Sequence, residues 1–197
     1  MKKLIYTVFL AASLLFLETR CSDSQEAKPR EKEAVAEPEE TTPDFYITPA
    51  DGMKLVDNLN ADAALQYSDV STGRYLIIVE EPVTDVKDEL KAREVYDENK
   101  SFLENFSNFR VKQLEENSVA VEKIGSRALL LTRDAISGLT TELRATMSDV
   151  PEKVYYQICF AEHGDRSFMI MAWTLESQEK AFAPSAKKMI ESFRMEH

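Results

Sequence analysis

The sequence predicts an α+β fold, an antiparallel sheet of about six strands with two helices packed on it as an α-β-α sandwich. Three stretches carry that prediction. KVYYQICFAEHGDRSFMIMAWTL alternates apolar and other residues on both arms of a glycine turn, as a β-hairpin does. Between Val86 and Glu116 large apolar residues recur at spacings of three, four and seven, the period of a helix. Ser177 to Phe193 shows a second stripe of that period.

Taken in chain order, the first element is a leader rather than part of the fold. Lys2 and Lys3 precede an apolar stretch from Leu4 to Leu17. Its length of about fourteen residues suits a secretory h-region and falls short of the roughly 20 that a spanning helix needs. Cys21 follows where an A-x-A cleavage pattern would otherwise stand. This arrangement resembles a bacterial lipoprotein signal, which implies cleavage before Cys21 and a diacylglycerol on its thiol, with palmitate among the acyl chains. Glu18, Thr19 and Arg20 depart from the usual Leu and small residues of that motif. CSDSQE resembles the acidic export tags of surface lipoproteins in Bacteroidetes. Ordinary secretion and an uncleaved N-terminal anchor are the alternatives. Residues 1–20 are thus assigned as signal peptide, with the mature protein in the cell envelope, outer membrane in particular.

Residues 21–44 form an acidic linker. Beyond Cys21 it is rich in Glu, is punctuated by Pro29, Pro38 and Pro43, and holds almost no large apolar side chain. Such a segment cannot bury enough surface to offset its ordering entropy. Charge repulsion and proline extend it, which makes it a spacer.

The folded domain is assigned to residues 45–197. Phe45 to Ile47 is a short apolar start. Leu65–Ser68 and Arg74–Val79 flank the turn-forming DVSTG. RYLIIVEE, rich in β-branched residues, reads as a buried strand. Val95, Phe102, Phe106, Phe109 and Gln113 make the helical stripe, in one long helix or in two broken around Asp97 to Asn99. Apolar stretches around Ile124-Gly125 mark a strand, and GLTTELRATM alternates Leu139, Thr141, Leu143, Ala145 and Met147 on one side. In the hairpin, Val154, Tyr156, Ile158 and Phe160 share a face, and Gly164 supplies the positive φ of the turn. Phe182, Ala186, Met189, Ile190 and Phe193 define the closing helix. Pro184 is expected in its first turn, where a missing N–H costs least.

The order of these elements, with Ile124-Gly125 before a strand, Tyr156 in the hairpin, Trp173-Thr174 ending it and Ser192-Phe193 closing the last helix, resembles the PsbP-like, or Ran-release-factor (Mog), family. DcrB-type bacterial lipoproteins are among its relatives. The resemblance spans about residues 45 to 195, rests on packing positions and implies a fold without implying an activity.

Composition limits function further. Of 197 residues, 44% are hydrophobic and 30% charged, and the net charge is −11. Phosphate backbones need a basic stripe, so nucleic acid is excluded as a partner. Anionic headgroups are excluded as an adhesive surface for the same reason; membrane attachment is expected through Cys21 alone. Metal ligation wants several His or Cys at set spacings. The chain has two His and two Cys. With Cys21 acylated, Cys159 is left as a small packing residue. No nucleophile elbow, phosphate loop or dinucleotide fingerprint occurs. No catalytic residue, metal or cofactor is therefore assigned. The expected role is a non-catalytic binding or assembly module that holds an envelope protein or a small apolar ligand. Trp173, Tyr156, Phe102 and Phe106 are its candidate patch. The rival is a hydrolase-like enzyme using His163 with Glu162 or Asp165, which requires an acid within hydrogen-bond reach of His163.

Overall fold

The computed structural model describes residues 43–131 and 136–196. The signal segment, Cys21 and nearly all of the acidic linker lie outside the described residues, as does His197. The chain runs β1 (Phe45–Tyr46), β2 (Lys54–Leu55), β3 (Ala63–Asp69), β4 (Arg74–Pro82), α1 (Val83–Ala92), α2 (Phe102–Glu116), β5 (Ala120–Leu131), β6 (Ile136–Thr146), β7 (Val154–His163), β8 (Arg166–Leu175), α3 (Glu179–Glu191) and β9 (Arg194–Met195). β2 to β8 form one antiparallel sheet of seven strands in the order β2-β3-β4-β8-β7-β6-β5, and β1 pairs with β9 in a separate ribbon. The fold class is as expected, with one more strand in the sheet and one more helix than about six and two.

Both faces of the sheet are covered, which is why β4 is buried from Tyr75 to Val79. Leu76 and Ile78 point to one side, into a core with Phe45, Ile47, Phe168, Ile170, Phe182 and Phe193 beneath α3. Tyr75, Ile77 and Val79 point to the other, against Leu90 of α1 and Phe102, Phe106 and Phe109 of α2. The alternation of the two strand faces thus separates two cores in one α-β-α stack.

The helical stretch is divided by chemistry at both ends of the break. α1 closes with Glu94 at φ 58, where the Glu94 and Val95 N–H groups return to the Lys91 and Leu90 carbonyls. α2 opens with a reciprocal box: the Ser101 hydroxyl accepts from Glu104 N–H, and the Glu104 carboxylate accepts from Ser101 N–H. Val95 falls in the break and is exposed, so it leaves the predicted stripe. Ser101→Ala is expected to cost about 1 kcal/mol, read as a lower urea midpoint at unchanged slope.

Two further details depart from expectation. Pro184 lies inside α3, beyond its first turn. The helix starts earlier because Phe182, fully buried ahead of the proline, needs helical geometry to reach the core. That burial offsets the hydrogen bond forfeited at Pro184. Ile124 is not ahead of a strand but inside β5, where the register shifts between Lys123 and Gly125 and makes it a bulge. The bulge, with exposed Glu122 and Lys123 beside it, blunts a strand that is the free edge of the sheet.

The hairpin of β7 and β8 turns on Gly164 at φ 64, with His163 paired to Arg166. At the opposite end of the sheet Asp69 organises the β3–β4 turn. Its carboxylate accepts hydrogen bonds from the hydroxyls of Ser71 and Thr72, which pulls its pKa down to about 2.

Candidate functional site

The four residues of the expected patch occupy one core. Trp173, Tyr156, Phe102 and Phe106 are 5%, 5%, 8% and 0% exposed, all on the side of the sheet covered by α1 and α2. Trp173 stacks on Tyr75 at 5.3 Å between ring centroids, and Phe106 meets Phe160 edge-on at 5.2 Å. Burial raises the Tyr156 hydroxyl's pKa. The aromatic stripe of α2 is therefore used up in covering the sheet, and these side chains form no open surface. Among the described residues, the large apolar groups that are exposed include Val119 and Ile124, at and beside the β5 edge. A bulge in an edge strand is the signal that sequence reading passed over.

The positions that carried the family resemblance have structural work. Thr174 donates its hydroxyl to the Gly73 carbonyl at 2.9 Å, which ties the end of β8 to the β3–β4 turn. The Ser192 hydroxyl donates to the Met189 carbonyl and accepts from Thr48 N–H at 2.8 Å, joining the end of α3 to the start of the domain.

The rival catalytic reading turns on His163. It is half-buried at the tip of the hairpin, and among the described residues it makes no side-chain hydrogen bond or ion pair, with Glu162, Asp165 or any other acid. Nor do the described residues hold a group of three or more His, Cys, Asp or Glu placed to bind a metal. Cys159 is fully buried in the α3-side core, and burial pushes its thiol up to about 12, so it carries no thiolate at neutral pH.

The charged groups that converge do so as ties between elements. Arg110 of α2 holds Glu81 at the end of β4 at 2.6 Å and approaches Glu89 of α1 at 3.5 Å, with its guanidinium over Phe106 and Phe109. Arg144 of β6 binds Glu179 of α3 through two nitrogens at 2.7 Å, and also reaches Glu122 of β5 at 3.2 Å.

The third tie stands where the linker enters the domain. Arg166, first residue of β8, grips Asp44 through two nitrogens at 2.8 and 2.6 Å. Its Nε reaches Glu80 of β4 at 2.6 Å. Asp44 also accepts the Glu196 N–H at its carbonyl, and β1 follows at once in its ribbon with β9. Phe45 packs edge-on against Phe168 of β8 at 5.5 Å and against Phe193. Asp44 is thus fastened to β8, whose Arg166 also holds β4, and to the chain's C-terminal ribbon.

The clamp makes stability depend on pH in a definite direction. The hydrogen bonds from Arg166 hold the Asp44 carboxyl below its usual value. A depressed acid stabilises the fold above its unfolded pKa, about 3.9, and the gain is lost as pH falls through the folded value. Asp44→Asn is therefore expected to lower the melting temperature at pH 7 and to match wild type once pH drops below the folded pKa of Asp44. Thermal scans across that range check it.

Among solved structures the chain is similar to cyanobacterial PsbP (CyanoP) from Synechocystis sp. PCC 6803, with a TM-score of 0.51 at 13% identity, covering 82% of this chain and 90% of that one. LpqN, described as involved in cell envelope biogenesis of Mycobacterium tuberculosis, aligns with a TM-score of 0.43 at 10% identity over 78% of this chain and 83% of that one. No protein-family model and no curated protein sequence matches the chain. The likeness to CyanoP shows a PsbP-like fold. Among the described residues no helix is long and apolar enough to cross a membrane.

Proposed function

We propose that the chain is a lipid-anchored lipoprotein of the cell envelope, held at the outer membrane by acylated Cys21, and that its PsbP-like domain is a non-catalytic binding or assembly module. The finer relationship to DcrB-type lipoproteins belongs to this reading. The observation that carries it is the fastening at Asp44. A tether ending at Asp44 would meet the domain at a fixed point, held to β8 by two Arg166 nitrogens and followed at once by the β1–β9 ribbon. The signal pattern ending at Cys21 and the acidic, proline-bearing segment after it would supply the rest of the tether. The hydrolase reading needs an acid in hydrogen-bond reach of His163, and among the described residues His163 makes no side-chain hydrogen bond or ion pair.

Fractionation of cells expressing the full chain tests the tether. Wild type is expected in the membrane fraction, released by detergent and not by high salt. Cys21→Ala is expected in the soluble fraction. A Cys21→Ala protein that sediments with membranes as wild type does would refute the anchor.

A further inference from the structure

β5 is the free edge of the seven-stranded sheet, with no strand on its outer side among the described residues. The N–H and C=O groups along such an edge are a template for another strand. Val119, just before β5, and Ile124 within it are 68% and 43% exposed. Arg127 is exposed too, donates only weakly to Thr140 at 3.4 Å, and has no carboxylate partner among the described residues. One edge thus presents an unpaired backbone, two exposed apolar side chains and an unclaimed guanidinium.

The register shift at Ile124 gives this edge a symmetry. Residues five apart fall on opposite faces of a regular strand. Here the extra residue puts Glu122 and Arg127 on one face, opposite Arg144 and Thr140 of β6, each two pairs away from Gly125. Lys123 and Ser126 lie one pair away on either side. An antiparallel second copy with its two-fold axis at Gly125 therefore sets Glu122 of each copy against Arg127 of the other, and Lys123 against Ser126. Axes at Glu122, Lys123 or Arg127 would instead oppose like charges. The Glu122 side chain is 53% exposed, and its contacts with Arg144 and Lys153 use different oxygens, so lone pairs remain for a further donor. A Cβ at Gly125 would meet nothing within 4 Å, so the chain itself does not crowd the axis.

We propose that β5 pairs with β5 of a second copy of this chain, antiparallel about Gly125, joining two sheets edge to edge. The bulge selects that partner. Against a regular strand the extra residue puts the pairing out of step beyond Gly125, which is how it blunts the edge. A second copy carries the same extra residue, so the span from Glu122 to Arg127 is equally long on both sides and pairing resumes past it. The two Ile124 residues come to neighbouring positions beside the axis, and two Glu–Arg pairs flank them. The proposal rests on the assembly reading and names one partner for it.

Disulfide trapping in cells that express the full chain tests the pairing. Gly125→Cys is expected to yield a linked dimer under copper phenanthroline oxidation, because directly opposed strand residues have Cα atoms about 4.5–5.5 Å apart, within disulfide reach. Val121→Cys, about 20 Å from its own copy in this register, is expected to yield none. The parent chain, with neither substitution, sets the background from Cys21. Within the Gly125→Cys chain, Arg127→Glu or Glu122→Arg is expected to cut the linked fraction about tenfold, since like charges then face each other in both pairs. Co-expression of those two variants is expected to restore it, because every Glu again meets an Arg; recovery in the mixture also shows that each variant folds. No linked dimer above background from Gly125→Cys overturns the pairing, as does equal linkage at Val121→Cys. A linked fraction that ignores the two reversals, or that stays low in the mixture, overturns it equally. Each of these failures removes a second copy as the partner and leaves the assembly reading in place, while fractionation of the same cells reads the anchor separately.

Discussion

Phe106→Ala is expected to destabilise the domain by about 3–5 kcal/mol, the range for truncating a fully buried aromatic. The ring is entirely out of solvent. It stacks on Phe102 at 5.6 Å, meets Phe160 of β7 edge-on and lies under the Arg110 guanidinium. Removing it opens a cavity between α2 and the centre of the sheet, where neighbours on rigid strands cannot collapse inward. A loss of that size is a large part of the stability of a domain this small. Urea unfolding measures it, with the midpoint falling sharply. The result also decides between core and patch. An exposed binding residue would leave the midpoint within about 0.5 kcal/mol of wild type.

Arg110→Ala should have an effect of similar size by a different route. The Arg110 side chain is 6% exposed, and its partner Glu81 is largely buried. Truncation leaves the Glu81 and Glu89 carboxylates facing the place where the cation stood. Breaking a buried pair from one side typically costs about 3–5 kcal/mol, because a desolvated charge loses its compensation. Replacing both partners separates that cost from the worth of the pair. The double variant Arg110→Met with Glu81→Leu is expected to lose much less than Arg110→Ala alone, since neither charge then needs compensating. Equal losses in the two proteins would show that the guanidinium's place over Phe106 and Phe109, absent from both, matters more than the uncompensated carboxylate.

Much of the fold was legible because local chemistry and global packing agree in it. The β7–β8 hairpin reads directly: alternation fixes two faces, and Gly164 supplies the one conformation the turn needs. The buried character of β4 was plain from its run of β-branched residues. Elements defined only by their partners were not legible. Lys54–Leu55 is exposed and two residues long, and it is a strand only because Ser68 and Tyr67 pair with it. Arg194–Met195 likewise exists through β1. Pro184 misled because its local cost was visible while the burial of Phe182 ahead of it was not.

The site was less legible than the fold, for a related reason. A stripe such as Phe102, Phe106 and Phe109 states that one helix face is apolar, and leaves open whether a sheet or a partner covers it. The three-layer stack decides in favour of the sheet. Conversely, nothing in the sequence marks the Gln157 amide oxygen as buried without a partner or sets Gly125 opposite Glu142. That relation depends on the one-residue shift at Ile124, which only the register reveals. Asp44 and Arg166, far apart in the chain, could not have been joined without the β1–β9 ribbon.

The anchor is the claim on which the location, and with it the role, depends. Intact-mass and peptide mass spectrometry of the protein purified from its native membranes tests that claim most directly. The account predicts a mature chain that begins at Cys21 and carries a diacylglycerol thioether there. A chain that starts at any other residue, or an unmodified Cys21, would contradict it.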